Sequence, residues 1–455
     1  MNLYIDPGTG SMLFTILIGI AGAVVYLLRA LFSKMQFWFT GGAKAKNDVH
    51  DNIPFAIFSD SKRYWNVFEP ICDEFERREQ PLSYLTASPD DPALERDYQY
   101  ITCTFIGEGN SAFGKLNYLK ADIMLSTTPG LDVYQWKRSK DVKYYVHVPH
   151  ASSDIVIYRM FGIDYYDAVL LSGDYQIEQV RELEKKRNLP AKELLLGGLT
   201  WLDSMQKRLE TSEPLPEHKT TVLLAPSWGN SSIFGKYGGS IIDALKKTGY
   251  HIIIRPHPQS FTSEKELMEK LMQEYPEDDG LEWNRDNDNF EVLRRSDILI
   301  SDFSGVIFEY ALIFKKPVIY ADTSFDRSPY DACWIDGELW TFTTLAKIGR
   351  QLTEDNIGNI KELIDTVISD GSHMEAIENA RKETWAYQGK SAEVITDYLI
   401  NKRAEILEEV RKKQEAEEEA KNKKKKLWKK KEKVSPEKVI EEENTSSEEV
   451  TETVE

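Results

Sequence analysis

Cysteine is scarce in this chain: Cys72, Cys103 and Cys333 are scattered, odd in number and never paired as Cys-x-x-Cys. The sequence therefore indicates neither a disulfide framework nor a zinc site, and a reducing compartment fits best. Histidine is sparse as well, at 7 residues, and no cluster of His, Cys, Asp and Glu has metal-ligand spacing; a role for Mg2+ is left open. Excess positive charge is missing. The net charge of −18 argues against wholesale nucleic-acid binding. What is present is ordinary globular composition, 41% hydrophobic and 29% charged, over 455 residues, enough for two domains plus additional segments.

The longest uncharged run covers residues 7–28. As a helix rising ~1.5 Å per residue it reaches ~33 Å, enough for a bilayer core of ~30 Å. Asp6 precedes the run, while Arg29, Lys34, Lys44 and Lys46 follow it. The positive-inside rule then puts the C-terminal bulk in the cytoplasm, on a single-pass anchor in the cell membrane. No positive segment precedes the run, which argues against a cleaved signal peptide. Residues 1–46 are read as anchor and juxtamembrane segment.

The remainder alternates between apolar strand-like runs and helical spacing, which predicts parallel sheets and the α/β class. Glu213-Pro214-Leu215-Pro216-Glu217 reads as a linker, dividing a first domain, 47–212, from a second, 213–400. Strands are expected at 54–60, 83–86, 100–106, 122–126, 144–148 and 168–172 in the first, and at 221–225, 251–254, 298–300 and 317–320 in the second. Helical spacing of Trp65, Phe68, Ile71 and Phe75 places a helix over 64–78.

In such folds ligands sit at the carboxyl ends of strands, and four strand ends here carry chemistry. Pro149 ends one strand and His150 follows; Ser152, Ser153 and Asp154 are expected to open a helix. A histidine there suits general-base work because its ordinary pKa of ~6.5 lies near neutral. His147, inside the strand, is read as a packed residue. Ser231 and Ser232 end a second polar turn. At a third, Arg255-Pro256-His257-Pro258 sets one histidine stiffly between two prolines, next to an arginine able to fork onto phosphate oxygens. At the fourth, Ser301, Asp302, Phe303, Ser304 and Gly305 stand between a buried strand and an apolar helix over 306–314. A turn of this kind at a helix N-terminus reads as a diphosphate cradle; its bland alternative is a βα loop in which Asp302 or Ser304 only caps the helix.

The ordered set APSWGNSSI, RPHP, SDFSGVIFEYALIFKKPVIY and YQGKSAEVITDYL, with His150, Tyr158-Arg159 and Tyr166-Asp167, resembles the CDP-glycerol glycerophosphotransferase family of teichoic acid synthesis, over roughly residues 143–399. The resemblance implies a GT-B-like fold of two Rossmann-type domains facing a cleft, the first for the acceptor and the second for the donor. It implies that His150 and His257 are the two functional histidines, that Ser301, Asp302, Ser304 and Gly305 hold the donor phosphates with Arg255, Ser231 and Ser232 nearby, and that Glu309 reaches the ribose. The donor would be CDP-glycerol or a related CDP-polyol, the acceptor lipid-linked or polymeric, and the product CMP; His150 is taken as the base, with His257 the alternative. One departure bears on acceptor handling: many members carry His-Gly and then a lysine where this chain has His150-Ala151-Ser152. A GT-B glycosyltransferase using a nucleotide sugar, and a non-catalytic membrane scaffold, are the alternatives.

Residue 391 onward is expected to form a long helix that crosses back to the first domain. From 401 the chain is charged: nine lysines surround Leu427-Trp428 between Lys421 and Lys433, and seven Glu follow over 441–455. Such lysines attract anionic lipid at roughly 1 kcal/mol each near the surface; a solvated, disordered tail is the alternative.

Overall fold

The computed structural model describes residues 52–286, 288–321 and 324–432. The expected anchor over 7–28, Lys433 and the acidic end lie outside them. Among the described residues no helix is long and apolar enough to cross a membrane.

Seven strands build the first sheet: β1 (Ile53–Ser59), β2 (Leu82–Thr86), β3 (Ile101–Phe105), β4 (Ala121–Ser126), β5 (Val142–His147), β6 (Ala168–Leu171) and β7 (Glu193–Leu196). Six build the second: β8 (Thr221–Leu224), β9 (His251–Ile254), β10 (Leu281–Trp283), β11 (Ile298–Ser301), β12 (Val318–Ala321) and β13 (Gly349–Leu352). Their orders are β3-β2-β1-β4-β5-β6-β7 and β10-β9-β8-β11-β12-β13, and neighbouring strands run parallel. Each sheet thus changes winding direction at one pair of strands, β1/β4 and β8/β11, where a crevice opens at the carboxyl ends. The strands beside those crevices are covered on both faces, as parallel strands must be: all residues of β4, β8 and β11 are buried.

The two halves are joined by an apolar cluster in which Phe68, Leu125 and Trp201 of the first meet Leu223, Phe308 and Trp340 of the second. The expected return helix is present. Ser391–Glu432 buries Ile395 and Leu399 and packs on helix Trp65–Arg77 of the first half. Arg403 Nε lies 2.8 Å from the buried Asp122 Oδ2, and Lys402 Nζ 2.7 Å from Glu193 Oε2.

Two local expectations are corrected. Ser152, Ser153 and Asp154 do not open a helix of their own beyond the 3-10 turn Ile155–Ile157. The Asp154 carboxylate instead accepts the N–H groups of Trp340 (2.9 Å) and Thr341 (2.7 Å), capping helix Trp340–Ile348 of the other half. The apolar helix expected over 306–314 is α only for Val306–Glu309 and widens to a π-turn over Tyr310–Phe314, a form frequent at functional sites.

Candidate active site

His150 stands just beyond β5. Its Nδ1 is 2.8 Å from Thr127 Oγ1, on the loop after β4, and its ring lies 4.6 Å, centroid to centroid, from Tyr64, on the loop after β1. Tyr158 OH sits 3.2 Å from His147 Nε2 and 3.5 Å from His150 Nδ1, linking the two histidines. Burial pushes His150 down to about 4, opposed by the hydrogen bond with Thr127, so its ring is neutral near pH 7. With Nδ1–H donating to Thr127, Nε2 carries the free lone pair. His147 is a packed residue as expected. It is wholly buried, sits between the rings of Tyr158 and Tyr166, and is pushed down to about 3 by burial and then by His150.

His257 follows β9 and is held by its backbone, its N–H donating to Pro226 O at 3.2 Å. Its Nδ1 accepts the Gln259 N–H at 3.1 Å, which leaves the proton of the neutral ring on Nε2. In the tautomer whose Nδ1–H donates to Thr127, the two histidines present opposite faces of imidazole chemistry, an acceptor at His150 Nε2 and a donor at His257 Nε2. Burial lowers His257 to about 4, with Arg63 and Arg255 adding to the effect. Arg63 and Tyr64 are consecutive residues of the first half: Tyr64 packs on His150, and the charge of Arg63 is felt at His257. The cleft is closed from the other side too: a Cβ built on Gly305 would lie 3.7 Å from that of Ala151, next to His150.

The polar turns divide into groups that face the cleft and groups that shape it. Ser301 was expected in the cradle, yet it is buried and donates to Ala225 O at 2.5 Å. Asp302 was expected there as well. Its carboxylate accepts the N–H groups of Ser227 (3.1 Å to each oxygen), Ile233 (3.0 Å) and Phe303 (2.8 Å), tying the β8 and β11 loops together from inside. Burial raises its carboxyl while those N–H groups lower it. Ser232 is a buried helix cap, its Oγ accepting the Gly235 N–H at 3.2 Å. Each sits where a phosphate contact would cost an internal bond, or would bring a carboxylate against an anion. Ser231, Ser304 and Gly305 are partly exposed at the rim of the same turns. The first helical bonds run from Ile307 N to Ser304 O and from Phe308 N to Gly305 O, so the N–H groups of Ser304, Gly305 and Val306 precede the ladder and point to the anion-binding end.

Arg255 is held by Asn284 Oδ1 and by the Asp286 carbonyl at 2.9 Å. Glu309 accepts from Asn289 Nδ2 at 2.5 Å; burial raises its carboxyl, opposed by Asn289 and then Arg255. Among the described residues no group of three or more His, Cys, Asp or Glu side chains converges as a metal-binding set. Asp60, Arg63, Tyr64, Thr127 and Tyr158 were not singled out as site residues from the sequence. The signal was there in kind: Ser59-Asp60-Ser61 is a polar turn after a strand, like the one at Ser301.

Residues 201–401 match the family model described as CDP-glycerol:poly(glycerophosphate) glycerophosphotransferase. The match spans 201 of the chain's 455 residues, somewhat under half. Among curated proteins, the minor teichoic acid biosynthesis protein GgaB of Bacillus subtilis (strain 168) is 28% identical over 152 residues, covering 29% of this chain; the match spans only 16% of GgaB's length. Among solved structures, the wall teichoic acid polymerase TagF aligns with a TM-score of 0.50 at 16% identity, covering 79% of this chain and 91% of TagF. A UDP-GlcNAc 2-epimerase from Neisseria meningitidis aligns with a TM-score of 0.50 at 13% identity, over 77% and 100% of the two chains. These likenesses carry the fold, which is α/β and GT-B-like. The family match covers the turns after β8, β9 and β11, with His257, and begins after His150.

Proposed function

We propose that the protein is a CDP-glycerol-dependent transferase that moves glycerol phosphate, or a related polyol phosphate, onto an acceptor hydroxyl in teichoic-acid-like polymer synthesis. The carrying observation is that His150, packed on Tyr64, and His257, which feels the charge of the adjacent Arg63, come from different halves, with Gly305 beside Ala151.

In this reading the acceptor hydroxyl attacks the glycerol-bearing phosphorus in line. Its proton passes to Nε2 of His150, the new P–O bond forms, and the bond to CMP breaks with the electron pair leaving on CMP. His150 is neutral in the free protein, and the diphosphate of a bound donor raises its proton affinity, as an anion beside a base must. His257 donates from Nε2 to a phosphate oxygen. Arg255 and the N–H groups at Ser304 and Gly305 stabilise charge on the transferring and leaving phosphates, with Ser231 at the rim and Glu309 toward the ribose. Ser301, Asp302 and Ser232 hold the cradle's shape. The uncharged run over 7–28 would anchor the protein in the membrane, confining enzyme and lipid-linked acceptor to one surface.

A donor panel tests this. The detergent-purified full-length protein, with a lipid-linked glycerol phosphate primer, is expected to release CMP from CDP-glycerol. Release of UDP or UMP from a nucleotide sugar instead would overturn the donor assignment and leave the fold standing.

A further inference from the structure

We propose that Asp60 and Thr128 form the subsite that holds the acceptor's second hydroxyl, so that the first domain reads a vicinal diol beside the attacking oxygen. This rests on the transferase reading above.

The two residues end adjacent strands of the first sheet, β1 and β4, at the pair where the winding changes direction and a ligand crevice opens. Asp60 Oδ1 and Thr128 Oγ1 are both shut off from solvent without a well-formed hydrogen bond among the described residues, and the two side chains face each other, the threonine hydroxyl opposing the rise that burial imposes on the Asp60 carboxyl. Buried polar atoms are paired almost throughout folded proteins, so two incompletely satisfied oxygens facing each other at a strand-end crevice leave capacity for a ligand hydroxyl between them. Their neighbours are already committed to His150. Thr127 holds its Nδ1 at 2.8 Å, and Tyr64, electrostatically coupled to Asp60, packs on its ring. The scaffold between the strands is fixed, with Ser126 Oγ donating to Phe58 O at 2.8 Å and accepting the Thr128 N–H at 3.1 Å.

The chemistry selects the ligand. A carboxylate repels phosphate, so the group met here is neutral and can donate a hydrogen bond. A carboxylate beside a threonine hydroxyl accepts from, and donates to, an alcohol. A polyol end with adjacent hydroxyls fits: one loses its proton to His150 and attacks phosphorus, while the other donates to Asp60. Asp60 is then a binding residue and takes no proton from the reaction.

Asp60→Asn and Thr128→Val keep side-chain volume and change the hydrogen bonding. Two measurements are made on the detergent-purified full-length protein. One is the Kd for CDP-glycerol by calorimetry. The other is steady-state transfer to a lipid-linked glycerol phosphate primer and to an analogue whose terminal diol is reduced to one hydroxyl. The expected result is a donor Kd within twofold of wild type, which also reports an intact fold. The primer KM should rise tenfold or more with a smaller change in kcat, and the wild-type preference for the diol primer should disappear. Wild-type primer KM and diol preference in both variants would overturn the inference. So would a loss of donor affinity equal to the loss for primer. A wild-type protein that releases no CMP with primer present overturns the transferase reading itself, and the subsite with it.

Discussion

At the scale of single residues, the site is built from neutral imidazoles in a buried setting, and the consequence is measurable in stability. Burial depresses the His147 pKa to about 3. Above pH ~6.5 the ring is neutral in both folded and unfolded chains and contributes no pH dependence. Below that, the unfolded chain takes up a proton that the folded one refuses, so stability falls with pH by up to about 1.4 kcal/mol per unit. Buried carboxyls such as Asp302 and Glu309, whose pKa values are raised, act in the opposite sense, so the histidine is isolated by difference. Urea unfolding of wild type and His147→Gln at pH 7 and pH 5 is the check. The stability advantage of wild type over the variant should shrink by on the order of 2 kcal/mol between the two. A constant difference would mean that the ring is hydrated.

At the scale of elements, the His150 loop is held from both sides of the cleft. Asp154 caps helix Trp340–Ile348, and Asp331 of the second half accepts the Phe161 and Gly162 N–H groups (2.7 and 3.2 Å) while pairing with the buried Arg187. Asp164 shares that guanidinium at 2.9 Å. Asp331→Asn removes one of its two counter-charges and is expected to cost on the order of 3 kcal/mol of stability, read as a lower urea midpoint. An unchanged midpoint would show the cluster to be solvated. Asp154→Ala should cost about 1 to 2 kcal/mol through the lost cap, and should slow transfer further by loosening the loop that carries His150. Wild-type turnover in that variant would separate the latch from the chemistry.

These elements also mark what the sequence could convey. The central strands were legible because burial on both faces leaves continuous apolar runs. The three strands that were not anticipated, β7, β10 and β13, all lie at sheet edges, where partial exposure relaxes the pattern; Gly349-Arg350-Gln351 reads as loop. The positions of His150 and His257 just past strand ends were legible because the strands and the flanking prolines are local signals. Asp302, Ser301 and Ser232 were given to the ligand because a polar side chain at a strand end looks the same whether it points outward or satisfies backbone N–H groups beneath. Asp154 was given to its own helix because nothing local reveals that it caps one 186 residues away. The Asp60–Tyr64 stretch was passed over because its nearness to Thr128 and His150 follows from strand order, which no local spacing conveys.

At the scale of the whole molecule, helix Ser391–Glu432 does two jobs along its length. Its first turns belong to the core through Ile395 and Leu399, whereas residues 411–426 are exposed. Ending the chain at 418 is expected to leave the unfolding midpoint within about 0.5 kcal/mol of wild type. It should also weaken sedimentation with vesicles of phosphatidylglycerol if the lysines meet anionic lipid. Ending it at 390 exposes the Asp122 and Leu199 region it covers and should unfold the first domain. Equal vesicle binding with and without residues 419–455 would assign membrane contact elsewhere.

The central claim is that His150 and His257, from different halves of the chain, act on one phosphorus. The most direct measurement is the rate of primer-dependent CMP release from CDP-glycerol by wild type, His150→Ala, His257→Ala and the double variant. If the two act as a unit, each single change lowers the rate by at least about 10²-fold and the double variant is no slower than the worse single one. Wild-type rates in either single variant, or losses that multiply in the double, would contradict the shared centre.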